Sequence, residues 1–128
     1  VMSDKSATDP VHKAGMRIEN LSPDEVSEEL SKGGAILMDI REGGELQQSG
    51  RIAGSVHAPS GMLESYADPS LPTHRPEFDK NKRIILYCAS GRRSALAVTT
   101  LKHMGYEKVA HLDGGIQAWK DSGKPVAG

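Results

Sequence analysis

The chain has 128 residues, a formal net charge of −1, an aromatic fraction of 4% and a single cysteine. That length supports one domain whose core is packed by aliphatic side chains. The near-neutral charge argues against a nucleic-acid partner, and one cysteine excludes an internal disulfide. No apolar run is long enough to cross a bilayer, and Val1 to Gly15 lacks the apolar stretch of a signal peptide, so a cytoplasmic protein with no membrane partner is expected.

Taken in chain order, residues 1–15 read as a disordered polar tail and residues 16–128 as the folded domain. Ser22-Pro23-Asp24-Glu25 predicts a helix start, with Ser22 and Glu25 as a capping box and proline at the first helical position. Val26 and Leu30 follow one turn apart, and Gly33-Gly34 ends the helix. Ala35-Ile36-Leu37-Met38 is an unbroken apolar run, read as a buried strand leading to Asp39. A short strand is expected around Val56 within Ile52 to Pro59. Ser60 to Lys82 is a long connection punctuated by Pro69, Pro72 and Pro76; it reads either as a flap or as a surface connector with a short helix near Met62 to Tyr66. Ile84-Ile85-Leu86-Tyr87 is a second strand covered on both faces, Lys108 to Leu112 another, and Gly115 to Ser122 a last helix. This alternation predicts an α/β fold on a parallel sheet, with any ligand site beyond the carboxyl ends of the strands. Cys88 and Asp39 both fall on that rim.

Cys88-Ala89-Ser90-Gly91-Arg92-Arg93-Ser94 joins the second buried strand to a helix marked by Ala97, Val98, Leu101 and Met104, with Gly105 as its C-terminal stop. The first turn of a helix leaves backbone N–H groups without internal partners. The amides from Ala89 to Ser94 can therefore converge on one anion and favour the Cys88 thiolate, the reactive form of cysteine. A lone cysteine by itself is more often a small buried hydrophobe. Two arginines at a helix N-terminus run against the dipole and call for a compensating anion, which favours a site. Arg92 and Arg93 are read as binders of sulfonate, phosphate or thiosulfate oxygens, not as bases.

Asp39 ends a strand, and pairing with Arg41 in a structural role is favoured over a catalytic one. From the residues alone, the thiolate chemistry is expected to need no separate general base. His12, His57, His74, His103 and His111 lack ligand-like spacing, so no metal and no cofactor are expected. His57 is the histidine nearest the rim, read as a hydrogen-bonded structural group, and Trp119 is read as core.

Four segments carry a resemblance. Asp39-Ile40-Arg41-Glu42, Gly50-Arg51-Ile52-Ala53-Gly54-Ser55, the Cys88 loop and Leu112-Asp113-Gly114-Gly115-Ile116-Gln117-Ala118-Trp119 resemble, in order, the motifs of single-domain rhodaneses, over about residues 18–126. The resemblance implies a three-layer α/β fold, a central mainly parallel sheet with helices on both faces. It departs at Arg51, where the family often has histidine, at Ser55, where it often has alanine, and at Gly43-Gly44, which should loosen the short helix after the first motif. Cys88 to Arg93 is C-x4-R, like the sulfurtransferase loop; phosphatases and arsenate reductases of similar architecture use C-x5-R, and residue 94 is serine. The resemblance implies double displacement through a persulfide on Cys88, with Ala89, Ser90, Gly91, Arg92, Arg93 and Ser94 binding an anionic donor such as thiosulfate, a polysulfide or a persulfide. Cyanide or a thiol, in a small molecule or a protein partner, is the implied acceptor. Phosphatase or arsenate reductase, and a non-catalytic binding module, are the alternatives.

Overall fold

The computed structural model describes residues 18–127; the expected tail at residues 1–15, and the start of the domain at residue 16, lie outside the described residues. Strand β1 (Glu19–Leu21) leads to helix α1 (Pro23–Lys32), β2 (Ala35–Asp39), α2 (Gly43–Ser49) and β3 (Val56–His57). A 3-10 turn (Ser60–Met62) and helix α3 (Leu63–Ala67) follow, then β4 (Arg83–Tyr87), α4 (Arg92–His103), β5 (Val109–Leu112) and α5 (Gly115–Asp121). The five strands form one sheet in the order β1-β5-β4-β2-β3, and every pairing is parallel.

Alternating side chains of the central strands feed two cores, as a sheet covered on both faces requires. Ile84 and Leu86 join Met38, Ile40 and Val109 beneath α3 and α4, where Leu63, Ala97, Val98 and Leu101 are buried. Ile85 and Tyr87 join Leu37, Ala110 and Leu112 beneath α1 and α5, where Val26, Ile116 and Trp119 are buried. The result is the expected three-layer α/β arrangement, helix layer, sheet and helix layer. No helix among the described residues is long and apolar enough to cross a membrane.

The α1 cap forms as its sequence dictates: Ser22 Oγ accepts from the Glu25 amide at 3.1 Å, and Glu25 accepts from the Ser22 amide at 2.8 Å. Two local features differ from expectation. Gly43 and Gly44 do not dissolve the helix after Arg41; they occupy its first two positions, where amides need no internal partner. The Glu45 carboxylate accepts from the Glu42 amide at 3.0 Å and secures that end. Strand β1, only three residues with Leu21 alone buried, carries no legible periodicity.

The Ser60–Lys82 connection is tied to the body. Phe78 is buried, and the buried Tyr106 hydroxyl donates to the carbonyls of Ala67 at 2.6 Å and Phe78 at 3.1 Å. Arg75 stacks over the Tyr66 ring at 4.8 Å. These are the contacts of a packed connector with a short helix, one of the two forms expected.

Candidate active site

Cys88 leaves the end of β4, a central strand, and is 1% exposed. Gly91 then takes φ 101° and ψ −10°, a left-handed conformation that turns the chain into α4. Its N–H donates to Cys88 Sγ at 3.1 Å, and the Ser94 N–H, one of the orphan amides of the first turn, donates at 3.4 Å. Ser94 Oγ lies 3.5 Å from the sulfur. Burial alone would raise the thiol's pKa, but the Ser94 hydroxyl and the amides of Ser94, Gly91 and Ser90 outweigh it and hold the thiol below its ordinary value. Of the remaining loop side chains, Ala89 is half-buried and Ser90 exposed, which leaves the mouth open.

The loop is held from behind by α5. The Ile116 N–H donates to the Cys88 carbonyl at 2.9 Å and the Gln117 N–H to the Ala89 carbonyl at 3.1 Å. With those carbonyls drawn toward α5, the neighbouring amides are turned toward the sulfur. The approach is close enough that a Cβ on Gly115 would stand 2.5 Å from both carbonyl oxygens. Gly115 also has φ +64°, so no other residue fits without displacing the loop.

The two arginines part company. Arg93 donates to both carboxylate oxygens of Glu45, each at 2.8 Å. That hydrogen bonding, despite some burial, holds the Glu45 carboxyl down to about 2 and raises the already basic Arg93 further. Its charge is therefore matched inside the protein, where an external anion was expected. Arg92 is exposed, and its side chain makes no hydrogen bond or ion pair to another described residue. Glu45 was not singled out by sequence: its only local signal is helix capping, and its partner is 48 positions away.

Asp39 and Arg41 form the expected pair, now seen to be wholly buried, with side-chain exposures of 0% and 1%. Arg41 donates to Asp39 Oδ1 at 3.0 Å and Oδ2 at 2.7 Å, and continues to Ser49 Oγ at 2.8 Å and the Gly50 carbonyl at 2.6 Å. The bond to Asp39 raises the Arg41 pKa. These contacts tie the C-terminal end of α2, the helix that carries Glu45, to the end of β2. His57 Nε2 meets the Arg41 carbonyl at 2.6 Å, a structural hydrogen bond as expected. Arg51 donates to the Ser55 carbonyl at 2.9 Å, and Ser55 Oγ shares a hydrogen bond with the Tyr87 hydroxyl at 3.1 Å, so both departures from the family pattern serve the turn. Trp119 is buried in the second core, its indole N–H donating to the Pro125 carbonyl at 2.8 Å.

Beside the loop, Ser60, Leu63, Glu64, Arg93, Leu96, Ala97 and Thr100 line an open groove of about 240 Å³ between α3 and α4.

The profile of the rhodanese-like domain family matches residues 22–122. A sulfurtransferase of Allochromatium vinosum is 34% identical over 91 residues, which cover 71% of this chain and 77% of that protein. A putative sulfur carrier protein of Bacillus subtilis is 35% identical over 83 residues, 65% of this chain but only 40% of the relative, so this chain spans less than half of that larger protein. Among solved structures, a protein of Rhodopseudomonas palustris described as of unknown function and a possible tyrosine phosphatase superimposes with a TM-score of 0.83 at 37% identity. That match covers 91% of this chain and 89% of the other.

Proposed function

The chain belongs to the rhodanese-like domain family, and on that premise we propose that it moves a sulfane sulfur from an anionic donor such as thiosulfate to a thiophilic acceptor through a persulfide on Cys88. The Cys88 thiolate attacks the outer sulfur of the donor, the donor's S–S bond breaks, and sulfite leaves with the bonding electrons. An acceptor thiolate or cyanide then attacks the terminal sulfur, and the Cys88 thiolate is released. A polysulfide or a small persulfide would enter the same cycle, and the sulfur carrier relative favours a protein thiol among the acceptors.

The observation that carries this reading is the convergence on the sulfur of the Gly91 amide, inside the six-residue Cys88–Arg93 loop, and the Ser94 amide that follows it. Fixed donors of this kind stabilise developing negative charge by roughly 3 kcal/mol each. Arg92 supplies the uncommitted positive charge at the mouth and is assigned to the donor's sulfonate oxygens.

The Rhodopseudomonas relative supports a second reading, hydrolysis of a phosphate ester. Against it stand the short loop and the engagement of Arg93 by Glu45, which leaves no arginine fork closing over a tetrahedral phosphate from the loop's end. Mass spectrometry separates the two. Incubation with thiosulfate should add one sulfur atom to the Cys88 peptide and release one equivalent of sulfite, and Cys88→Ala should take up no sulfur and form no thiocyanate from cyanide. Phosphate-ester hydrolysis with no sulfur uptake would assign the second reading instead.

A further inference from the structure

A second buried ionisable group stands behind the sulfur. His111, the third residue of β5, is 2% exposed. Its Nε2 lies 2.6 Å from Asn20 Oδ1 on β1, and its Nδ1 lies 2.8 Å from Ser94 Oγ, the hydroxyl that sits 3.5 Å from Cys88 Sγ. A carboxamide oxygen only accepts, so Nε2 carries the hydrogen of the neutral ring and Nδ1 its lone pair. The Ser94 O–H must then donate to Nδ1, and the Ser94 oxygen is left to accept from the Cys88 S–H. Cys88, Ser94, His111 and Asn20 thus form one directed chain of hydrogen bonds.

We propose that His111 accepts the Cys88 proton through Ser94 and serves as the buried counter-charge of the thiolate and of the persulfide that replaces it. In the transfer the S–H bond breaks and its proton joins Ser94 Oγ while the Ser94 proton moves to His111 Nδ1. The products are a thiolate that accepts from the Ser94 hydroxyl and an imidazolium that donates to Ser94 Oγ and Asn20 Oδ1. The site's total charge is unchanged, so the sulfur ionises without passing a proton to solvent. Sulfur loading exchanges a thiolate for a persulfide anion, and the imidazolium keeps its partner through the cycle.

The surroundings agree with that assignment. β1 presents the uncharged Asn20, and β4 places the apolar Leu86 beside His111 in register. On α4, Arg93 and Arg92 precede Ser94, and the Arg93 charge is matched by Glu45. His111 does not touch the transferred sulfur; it is a positioning residue acting through Ser94.

The relay rests on Cys88 being the nucleophile, and its test reads ionisation of the sulfur, not sulfur transfer, so the two assignments fail separately. His111→Gln keeps an acceptor for Ser94 and a donor for Asn20 but takes no proton. Followed by the ultraviolet absorbance of the thiolate against pH, this variant should show a midpoint about one pH unit higher than the parent, equivalent to about tenfold less thiolate near neutrality. In the unaltered protein the His111 ring, followed by NMR, should titrate in steps coupled to the thiol, and in Cys88→Ser it should lose that coupling and titrate at lower pH. A His111 titration identical in the parent and in Cys88→Ser overturns the proposal whether or not His111→Gln folds, and so does a thiolate midpoint unmoved in a folded His111→Gln.

Discussion

The two guanidinium groups of the Cys88 loop meet different surroundings, and their removal should have different consequences. Arg92 is exposed, and under the proposed sulfur transfer Arg92→Ala would remove a charge-assisted contact to the donor. The KM for thiosulfate should rise about tenfold, equivalent to about 1.4 kcal/mol, with kcat little changed. Arg93→Ala instead breaks a half-exposed pair with Glu45; it should lower stability by less than about 1 kcal/mol in denaturant titration and move KM less. A larger KM effect at Arg93 than at Arg92 would reverse the assignment. Local order in sequence explains what was legible at this scale. Asp39 and Arg41 are two positions apart at a strand end, and their pairing follows from adjacency. Glu45 and Arg93 meet only because β2 and β4 lie side by side in the sheet, and Ser94 meets His111 only because α4 packs over β5, so neither contact has a signature in the residues alone.

At the level of elements, the strands and helices that enclose the site follow from apolar runs, the Ser22 cap and the helical spacing after Arg93, whereas the partnership of α5 with the Cys88 loop does not. The Gly114-Gly115 pair could be recognised as a motif without showing what it touches, since the carbonyls it accommodates belong to a loop far upstream. Gly115→Ala places a methyl group 2.5 Å from two backbone oxygens at a left-handed position, and the loop must move. A displacement near 1 Å at a catalytic group typically costs about a hundredfold in rate, so persulfide formation should slow by at least about that factor, measured by rapid-quench mass spectrometry. Retention of the parent rate in Gly115→Ala would show that the loop keeps its shape without α5. Gly43 and Gly44 teach the complementary lesson: propensity disfavours them in a helix, yet at its first two positions, with Glu45 and the Arg41 contacts holding both ends, the helix forms.

Across the whole molecule the two ends of the sheet do different work. The chain leaves β2 through α2 toward β3 at one edge and leaves β4 through α4 toward β5 on the other side. The crevice between β2 and β4 is thus the switch point where open α/β sheets hold ligands, and Cys88 and Asp39 flank it. At the opposite end Arg83 ties three elements together, donating to Glu29 of α1 at 2.9 and 2.8 Å and to Glu19 of β1 at 2.8 and 2.9 Å. Hydrogen bonds from Arg83 lower both glutamate pKa values from 4.5. Because the folded values are depressed, this contribution is complete above about pH 4.5 and disappears as pH falls through them. The melting temperature of the parent should therefore fall more steeply below pH 4.5 than that of Arg83→Gln, with a difference at neutral pH of under about 2 kcal/mol for two partly exposed pairs; parallel curves would show that the network contributes nothing. The depth of Cys88 bears on the fate of a loaded sulfur. With Cys88 1% exposed and its sulfur gripped by amides, a persulfide would project its terminal atom about 2 Å further toward the rim. A nucleophile arriving from solvent would meet that atom first. Attack on the inner sulfur, which would expel hydrosulfide and strand the protein as a mixed disulfide, would be screened by the loop, so under the proposed cycle recession of the thiol would make each encounter regioselective and keep the catalyst reusable.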